Sequence, residues 1–410
     1  MTRLGDLVDM TFGFAFKSAE FTDSREAVRL LRGDNIGQGR LRWDGAKRFP
    51  QERVGEVTKY QLAIGDVVLA MDRPWIEAGL KYSVVRSGDV PSLLVQRVAR
   101  LRAKPALDQG YLAAVIGSKE FMDYIVGTQT GSAVPHISGG QIGDFQVDRL
   151  PPLAEQAAIA RILGVIDDKI ESNRRSIALI EELGASLLAN ALGRETSEVP
   201  TLTEQLDSIL TVIESGSRPR GGALTDGSGV ISLGAESIQS AGVINTKTFK
   251  SVPSDYAASM KRGHLANADV LVYKDGGTPG KFIPHVSAFG FGFPVEQAVI
   301  NEHVYRVRAD GRVSQGTLYW LLSSSWMDDE MRRRGTGAAI PGINSTNFRE
   351  MPIPNMANKA VQEIGATLDQ LLERVLRLGT ESRRLGSIRD ALLPELLSGR
   401  IRVPVEESAA

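Results

Sequence analysis

With 410 residues, of which 42% are hydrophobic and 24% charged, the chain has apolar material for two or three domains with cores, and wholesale disorder is excluded. A formal net charge of −1 excludes a protein that clamps a long polyanion by bulk charge, so any nucleic-acid contact must use local basic patches. The absence of cysteine removes disulfides, thiol nucleophiles and Cys-based zinc sites, and fits a cytoplasmic protein.

The chain opens with "MTRLGDLVDMTFGF", which lacks the basic segment and apolar run of a signal peptide. No stretch approaches the ~18 apolar residues of a membrane-crossing helix, so the expected location is cytoplasmic, away from membranes. "LLRGDNIGQGRL" (30–41) reads as a strand and a Gly-containing turn, and "AIGDVVLAMDRP" (63–74) as a buried β-run entered through Asp66. "DQGYLAAVIGSKEFMDYI" (108–125) has helical period and leads into "GSAVPHIS" (131–138). Pro151 and Pro152 then close the segment, and a long helical pattern starts at once.

The same landmarks recur in the same order about two hundred residues later. "ISLGAESIQSAGV" (231–243) precedes "ANADVLVYKDGG" (266–277), with its β-run entered through Asp269. "SQGTLYWLLSSSWMDDEM" (314–331), "GAAIPGIN" (337–344) and the proline-closed "MPIPNMANKAVQEIGATL" follow. The chain is therefore read as an internal duplication. Each half is a globular unit of short β-runs and helices, ending near Pro151–Pro152 or Pro352–Pro354, followed by one long helix.

Both helices carry a 3.5-residue apolar seam. The first steps through Ile159, Leu163, Ile166, Ile170, Asn173, Ile177, Ile180, Gly184 and Leu187. The second steps through Ile364, Leu368, Leu371, Val375, Leu378, Ser382 and Leu385, then Leu392 and Leu396. Asn173, Gly184 and Ser382 interrupt the seams, and Asp167, Asp168 and Lys169 read as solvated surface. Because the second helix must return along the first, the expected arrangement is antiparallel. The expected fold is α+β: two homologous globular domains separated by two long helices pairing as an antiparallel coiled coil, with a pseudo-two-fold relation. The boundaries are 1–150 and 198–352 for the globular domains, 151–197 and 353–402 for the helical regions, and 403–410 for the tail. At 1.5 Å per residue, ~35 helical residues span roughly 50 Å, somewhat more than the ~34–36 Å of one B-DNA turn.

"LPPLAEQAAIARILGVIDDKIESNRR" resembles the central conserved region of the specificity (S) subunits of type I restriction–modification systems. "IPNMANKAVQEIGATLDQLLERVLRL", ending in "IRDALLPELLSGRI", resembles their distal region, with Asn358 and Lys359 where the first copy has Glu155 and Gln156. The resemblance covers the whole chain and makes the globular units target-recognition domains. It implies that each reads one half of a bipartite, asymmetric DNA sequence while the coiled coil sets the gap. It also implies a non-catalytic subunit that joins double-stranded DNA with two methyltransferase (M) subunits and, in restricting complexes, two restriction (R) subunits. S-adenosylmethionine then belongs to the M subunits and ATP with magnesium to the R subunits, none being bound by this chain. Exposed positions near Glu155 and Gln156 become candidates for holding the M subunits.

Base readout needs polar side chains at base edges and cations at phosphates. The first half offers Arg73 in "MDRPW" (71–75) and Thr128, Gln129, Thr130 and Ser132 in "GTQTGS" (127–132). The second offers Lys274, Thr278 and Lys281 in "YKDGGTPGK" (273–281), and Arg332, Arg333, Arg334 and Thr336 in "RRRGTG" (332–337). Arg218 and Arg220 in "SGSRPRGG" (215–222) complete the set. Motifs for chemistry are weak by comparison. "DGGTPGKF" (275–282) lacks the first phosphate-loop glycine and has Phe282 in the Ser/Thr position. "SAFGFGFP" (287–294) follows no nucleotide fingerprint, and His136, His264, His285 and His303 fall in no ligand pattern. The competing readings are a two-headed protein-binding adaptor without catalysis and a self-sufficient DNA enzyme with an unseen cofactor cleft.

Overall fold

The computed structural model describes residues 2–77, 79–130, 135–193, 201–224, 226–243, 246–337 and 340–404. The chain forms two units: residues 1–168 with 387–410, and residues 169–386. None of the described helices is long and apolar enough to cross a membrane.

The first unit contains β1 (Val8–Phe12), β2 (Val28–Leu31), β3 (Arg48–Phe49), β4 (Val67–Ala70), β5 (Trp75–Ile76), β6 (Gly79–Leu80), β7 (Tyr82–Val84), β8 (Ser92–Leu94) and β9 (Val98–Ala103). Helices α1 (Gln109–Ile116), α2 (Lys119–Thr128) and α3 (Gly139–Asp144) follow, and α4 (Leu153–Ala191) begins here. The strands form a four-stranded sheet ordered β1-β9-β4-β7, a three-stranded sheet β3-β2-β8 and a hairpin β5-β6. Within the smaller sheet β2 and β8 run parallel. Strand β4 is buried along its whole length, as expected for a central Val/Leu-rich run, and α1 packs its Tyr111, Leu112 and Ile116 into the core beside it.

The second unit contains β10 (Leu210–Ser215), β11 (Val230–Leu233), β12 (Lys250–Val252), β13 (Asp269–Tyr273), β14 (Gly277–Thr278), β15 (Lys281–Phe282), β16 (Val286–Phe289), β17 (Ala298–Ile300) and β18 (Val304–Ala309). Helices α5 (Gln315–Leu322), α6 (Ser325–Arg334) and α7 (Ser345–Arg349) precede α8 (Lys359–Ser398), whose last residues return to the first unit. The sheets are ordered β10-β18-β13-β16 and β12-β11-β17, with a hairpin β14-β15, and β11 and β17 are again parallel. Strand for strand this is the topology of the first unit, so the duplication holds at the level of hydrogen-bonded pairs.

The repeated polar anchors have the same jobs. Asp66 accepts from the Ala63 amide (2.8 Å) and pairs with Arg102, while Asp269 accepts from the Ala266 amide (2.6 Å) and pairs with Arg306 and Arg308. Gln109 accepts from the Ala103 amide and donates to the Gly65 carbonyl; Gln315 does the same with Ala309 and Ala268. These side chains fix the turn that enters the central strand, which is why the sequence repeats an Asp and a Gln there.

Each unit contains its own stretch of the two long helices, and in each the helices are antiparallel. In the first, Asp167 of α4 meets Arg389 of α8 at 3.0 Å. In the second, Asn173 donates to Glu381 at 2.8 Å and Asn358 donates to the Ala191 carbonyl at 3.2 Å. Every residue of the predicted seams is buried or half-buried, whereas Val165, Leu179 and Leu183 lie off the seam and are exposed. The seam interruptions have distinct causes. Asn173, 2% exposed, spends its amide on Glu381. Gly184 leaves room for Trp320, whose ring would lie 2.1 Å from an added Cβ, and the indole donates to the Glu181 carbonyl at 3.1 Å. Asp168 and Lys169 are exposed, as expected, and pair at the surface with Arg86 and Glu381, while Asp167 is half-buried against Arg389.

Candidate nucleic-acid interface

Strand β4 ends at Ala70, and the chain passes through Met71, Asp72 and Arg73 into the β5–β6 hairpin. The loop after α2 is laid against this passage by backbone bonds. Ile137 N–H donates to Met71 O at 2.9 Å, Arg73 N–H donates to Pro135 O at 2.6 Å, and Thr130 and His136 exchange two bonds. The second unit repeats the arrangement: Ile343 N–H to Lys274 O at 2.7 Å, Gly276 N–H to Pro341 O at 2.7 Å, and a Thr336–Gly342 exchange. Met71 therefore corresponds to Lys274, Arg73 to Gly276, and His136 to Gly342. In each unit a strand end, a hairpin and a helix-to-helix loop converge at one place.

In the first unit Arg73 is exposed and takes φ 46, an uncommon left-handed conformation for a residue with a Cβ, held by the Pro135 carbonyl. Thr130 is exposed, its hydroxyl 3.2 Å from His136 Nε2. Thr128 is half-buried and returns its hydroxyl to the Tyr124 carbonyl at 2.9 Å. Gln129 is half-buried, with an enclosed side-chain oxygen that has no partner among the described residues. Ser132 lies outside the described residues.

In the second unit Thr278 and Lys281 are exposed and face each other across β14–β15. Lys274 is half-buried, 5.2 Å over the Tyr305 ring and 3.7 Å from Asp275. Burial, reinforced by Asp275, pushes the Tyr305 phenol up to about 12. Arg332 binds Asp328 one turn back and donates to the Phe282 carbonyl at 3.3 Å, which ties α6 to the hairpin. Arg333 and Arg334 both pair with Glu330 on their own helix. Thr336 is exposed beside Gly342, Arg218 is exposed and reaches Glu302 at 3.3 Å, and Arg220 is exposed on the loop after β10. The structure thus gathers Lys274, Thr278, Lys281, Arg332 and Thr336. Arg218 joins them through Glu302 and His303, while Arg333 and Arg334 pair with Glu330 and Arg334 also donates to the Asn347 carbonyl.

Several residues at these places escape sequence reading. Lys81, 8% exposed, has its ammonium pKa lowered by burial; Arg73 and Arg42 push the same way, and Asp34 and Asp72 oppose them. Those five charges share one neighbourhood. Arg97, at φ 66, pairs with Asp72 at 3.7 Å. The corresponding partner in the second unit is His303, with Nδ1 at 2.5 Å from Asp275 and Nε2 at 3.4 Å from Glu302. Gln38 donates to the Gly79 carbonyl at 3.4 Å, bringing the Arg-bearing turn "RGDNIGQGRLR" to the hairpin. The available signal was the density of arginine in that glycine turn.

Residues 1–182 match the model of the type I restriction modification DNA specificity domain. Over 172 residues the chain is 34% identical to the type I restriction enzyme EcoAI specificity subunit of Escherichia coli, covering 42% of this chain and 28% of that one. Over 183 residues it is 31% identical to the MjaVIII specificity subunit of Methanocaldococcus jannaschii, covering 44% and 42%. The first part of the chain is thus similar to type I specificity subunits. It spans less than half the length of these two curated relatives. The solved S subunit of the M. genitalium type I restriction–modification system aligns over 96% of this chain and 94% of that one, with a TM-score of 0.52. At 14% identity this is a likeness of fold. The likeness of fold runs through the second unit, where the strand order repeats.

The partner-contact expectation needs one correction. Gln156 is 1% exposed, its oxygen accepting from the Asp108 amide at 2.8 Å and its amide donating to Ala106 and Pro151 carbonyls. It pins the start of α4 to the N-terminus of α1 instead of facing solvent. Glu155 is half-buried and pairs with Arg149 at 2.7 Å.

Proposed function

We propose that this chain selects the DNA sequence on which partner subunits act. Each unit reads one half of a bipartite target, and the two long helices set the number of bases between the halves. The observation that carries this reading is the twice-built convergence of strand end, hairpin and loop on one backbone plan with different side chains. A duplicated scaffold with divergent exposed residues suits two unlike half-sites. Exposed Arg73, Thr130, Thr278, Lys281, Arg218 and Arg220 supply the donors and cations that phosphates and base edges require. The partners in this reading are two methyltransferase subunits and, where the complex also cuts DNA, two restriction subunits. Methyl transfer with S-adenosylmethionine and ATP-driven chemistry are assigned to them, and this chain supplies recognition.

The test is a base-resolution map of adenine methylation in cells expressing the chain with its methyltransferase partner, against cells lacking only this chain. The expected result is a split motif that vanishes in the control. With the partner expressed and complexed, a map without a chain-dependent motif contradicts the proposal and favours a protein-binding adaptor.

A further inference from the structure

The β5–β6 hairpin carries Trp75 and Ile76, 37% and 38% exposed, side by side in sequence. Neighbouring residues of a strand point to opposite faces, so the ribbon presents a large apolar side chain on each face. The hairpin is held in place. Trp75 pairs with Leu80 and Ile76 with Gly79, Lys81 N–H donates to Pro74 O at 2.7 Å, and Gln38 anchors Gly79. The charges around it are Arg42, Arg73, Lys81 and Arg97 against Asp34, Asp72 and Glu77. The second unit cannot present the same surface. The first unit has one extra residue, Pro74, before its hairpin, so the hairpin register puts Gly277, at φ 122, in the position of Trp75, where an added Cβ would lie 2.2 Å from the Lys281 carbonyl oxygen. The exposed groups of that hairpin are Thr278 and Lys281.

A major groove admits a two-stranded β-ribbon, and apolar side chains there recognise the thymine 5-methyl group. We propose that Trp75 and Ile76 are specificity-determining residues that read thymine methyls in the major groove of the first unit's half-site. The exposed Arg42, Arg73 and Arg97 meet the flanking phosphates. The second unit reads its half-site through the hydrogen-bonding Thr278 and Lys281. This proposal rests on the recognition function above and deepens it.

The test uses the complex with its methyltransferase and duplexes bearing the mapped motif, with deoxyuridine replacing thymine one position at a time so that only a methyl group is lost. For the wild-type complex, one or two replacements in one half-site weaken binding by roughly fourfold each, the worth of one buried methyl. The variant W75A/I76A binds thymine and deoxyuridine duplexes alike at those positions, and Trp75→Phe restores part of the difference. Unchanged selectivity for the other half-site shows that the variant is folded. Three results overturn the proposal: a double variant that still distinguishes thymine from deoxyuridine, a wild-type complex indifferent to every methyl, or a half-site without thymine on either strand. A complex with no split motif at all removes the recognition function itself, which separates the two failures.

Discussion

In the first unit Asp72 holds Arg97, and in the second Asp275 holds His303; Trp75 in one stands where Gly277 stands in the other. Deeper in the same units the backbone anchors are kept: Asp66 and Asp269 clasp the same turn, and Gln109 and Gln315 bind the same two backbone groups. The contrast separates two kinds of position. Residues that satisfy buried backbone groups cannot change without leaving an unpaired donor or acceptor. Residues at the tips of the converging loops face solvent and are free to differ, as the proposed reading of two unlike half-sites requires.

The largest way to break this comparison is at the turn anchor. Asp269 is fully buried between Arg306 and Arg308, whereas the Arg102 partner of Asp66 is 43% exposed. Removing Asp269 leaves Arg306, 14% exposed, with Glu214 as its remaining carboxylate and strips the Ala266 amide of its acceptor, so Asp269→Ala is expected to destabilise the second unit by about 3 kcal/mol. Asp66→Ala costs less because Arg102 can rehydrate. Calorimetry on the two variants checks the order, and equal losses would contradict it.

The helices offer a sharper, smaller contrast. Glu181 in the second unit accepts from the Tyr319 hydroxyl at 2.7 Å, and burial pushes its pKa up to about 6 despite that bond. A raised carboxyl pKa means the folded state prefers the protonated form. Its contribution is complete below about pH 4.5 and is lost as pH rises through about 6, by roughly 2 kcal/mol for a shift of this size. Glu181→Gln should therefore flatten the decline in stability between pH 4.5 and 7.5, read from denaturant midpoints. Two glycines of α4 give effects of opposite sign, the second being the smallest expected. Gly184→Ala would drive a methyl into Trp320 and should cost about 1–3 kcal/mol. Gly164→Ala meets nothing within 4 Å and should stabilise by about 0.5–1 kcal/mol. Melting temperatures that move in the same direction for both would refute the packing account.

The duplication, the central β-runs and the helix seams were legible because each is written in local periodicity. Leu163 and Val375, for example, recur at 3.5-residue spacing and are both buried. What the sequence hid was non-local. The pairing of Arg97 with Asp72 and the approach of Gln38 to Gly79 depend on strand pairing across dozens of residues. Gln156 looks like a surface residue at a helix start until the backbone groups around Asp108 claim its amide. Gly184 reads as a flaw in a seam until Trp320 arrives from a helix more than a hundred residues away.

The most direct measurement compares the methylation motif of the wild-type complex with those of two variants, Arg73→Ala in the first unit and Thr278→Ala with Lys281→Ala in the second. The account predicts that each variant relaxes selectivity in one half of the split motif only, that the halves differ between the variants, and that the spacer stays unchanged. Loss of selectivity in the same half by both variants, or an unaltered motif in both, would contradict two independent readers on one duplicated frame.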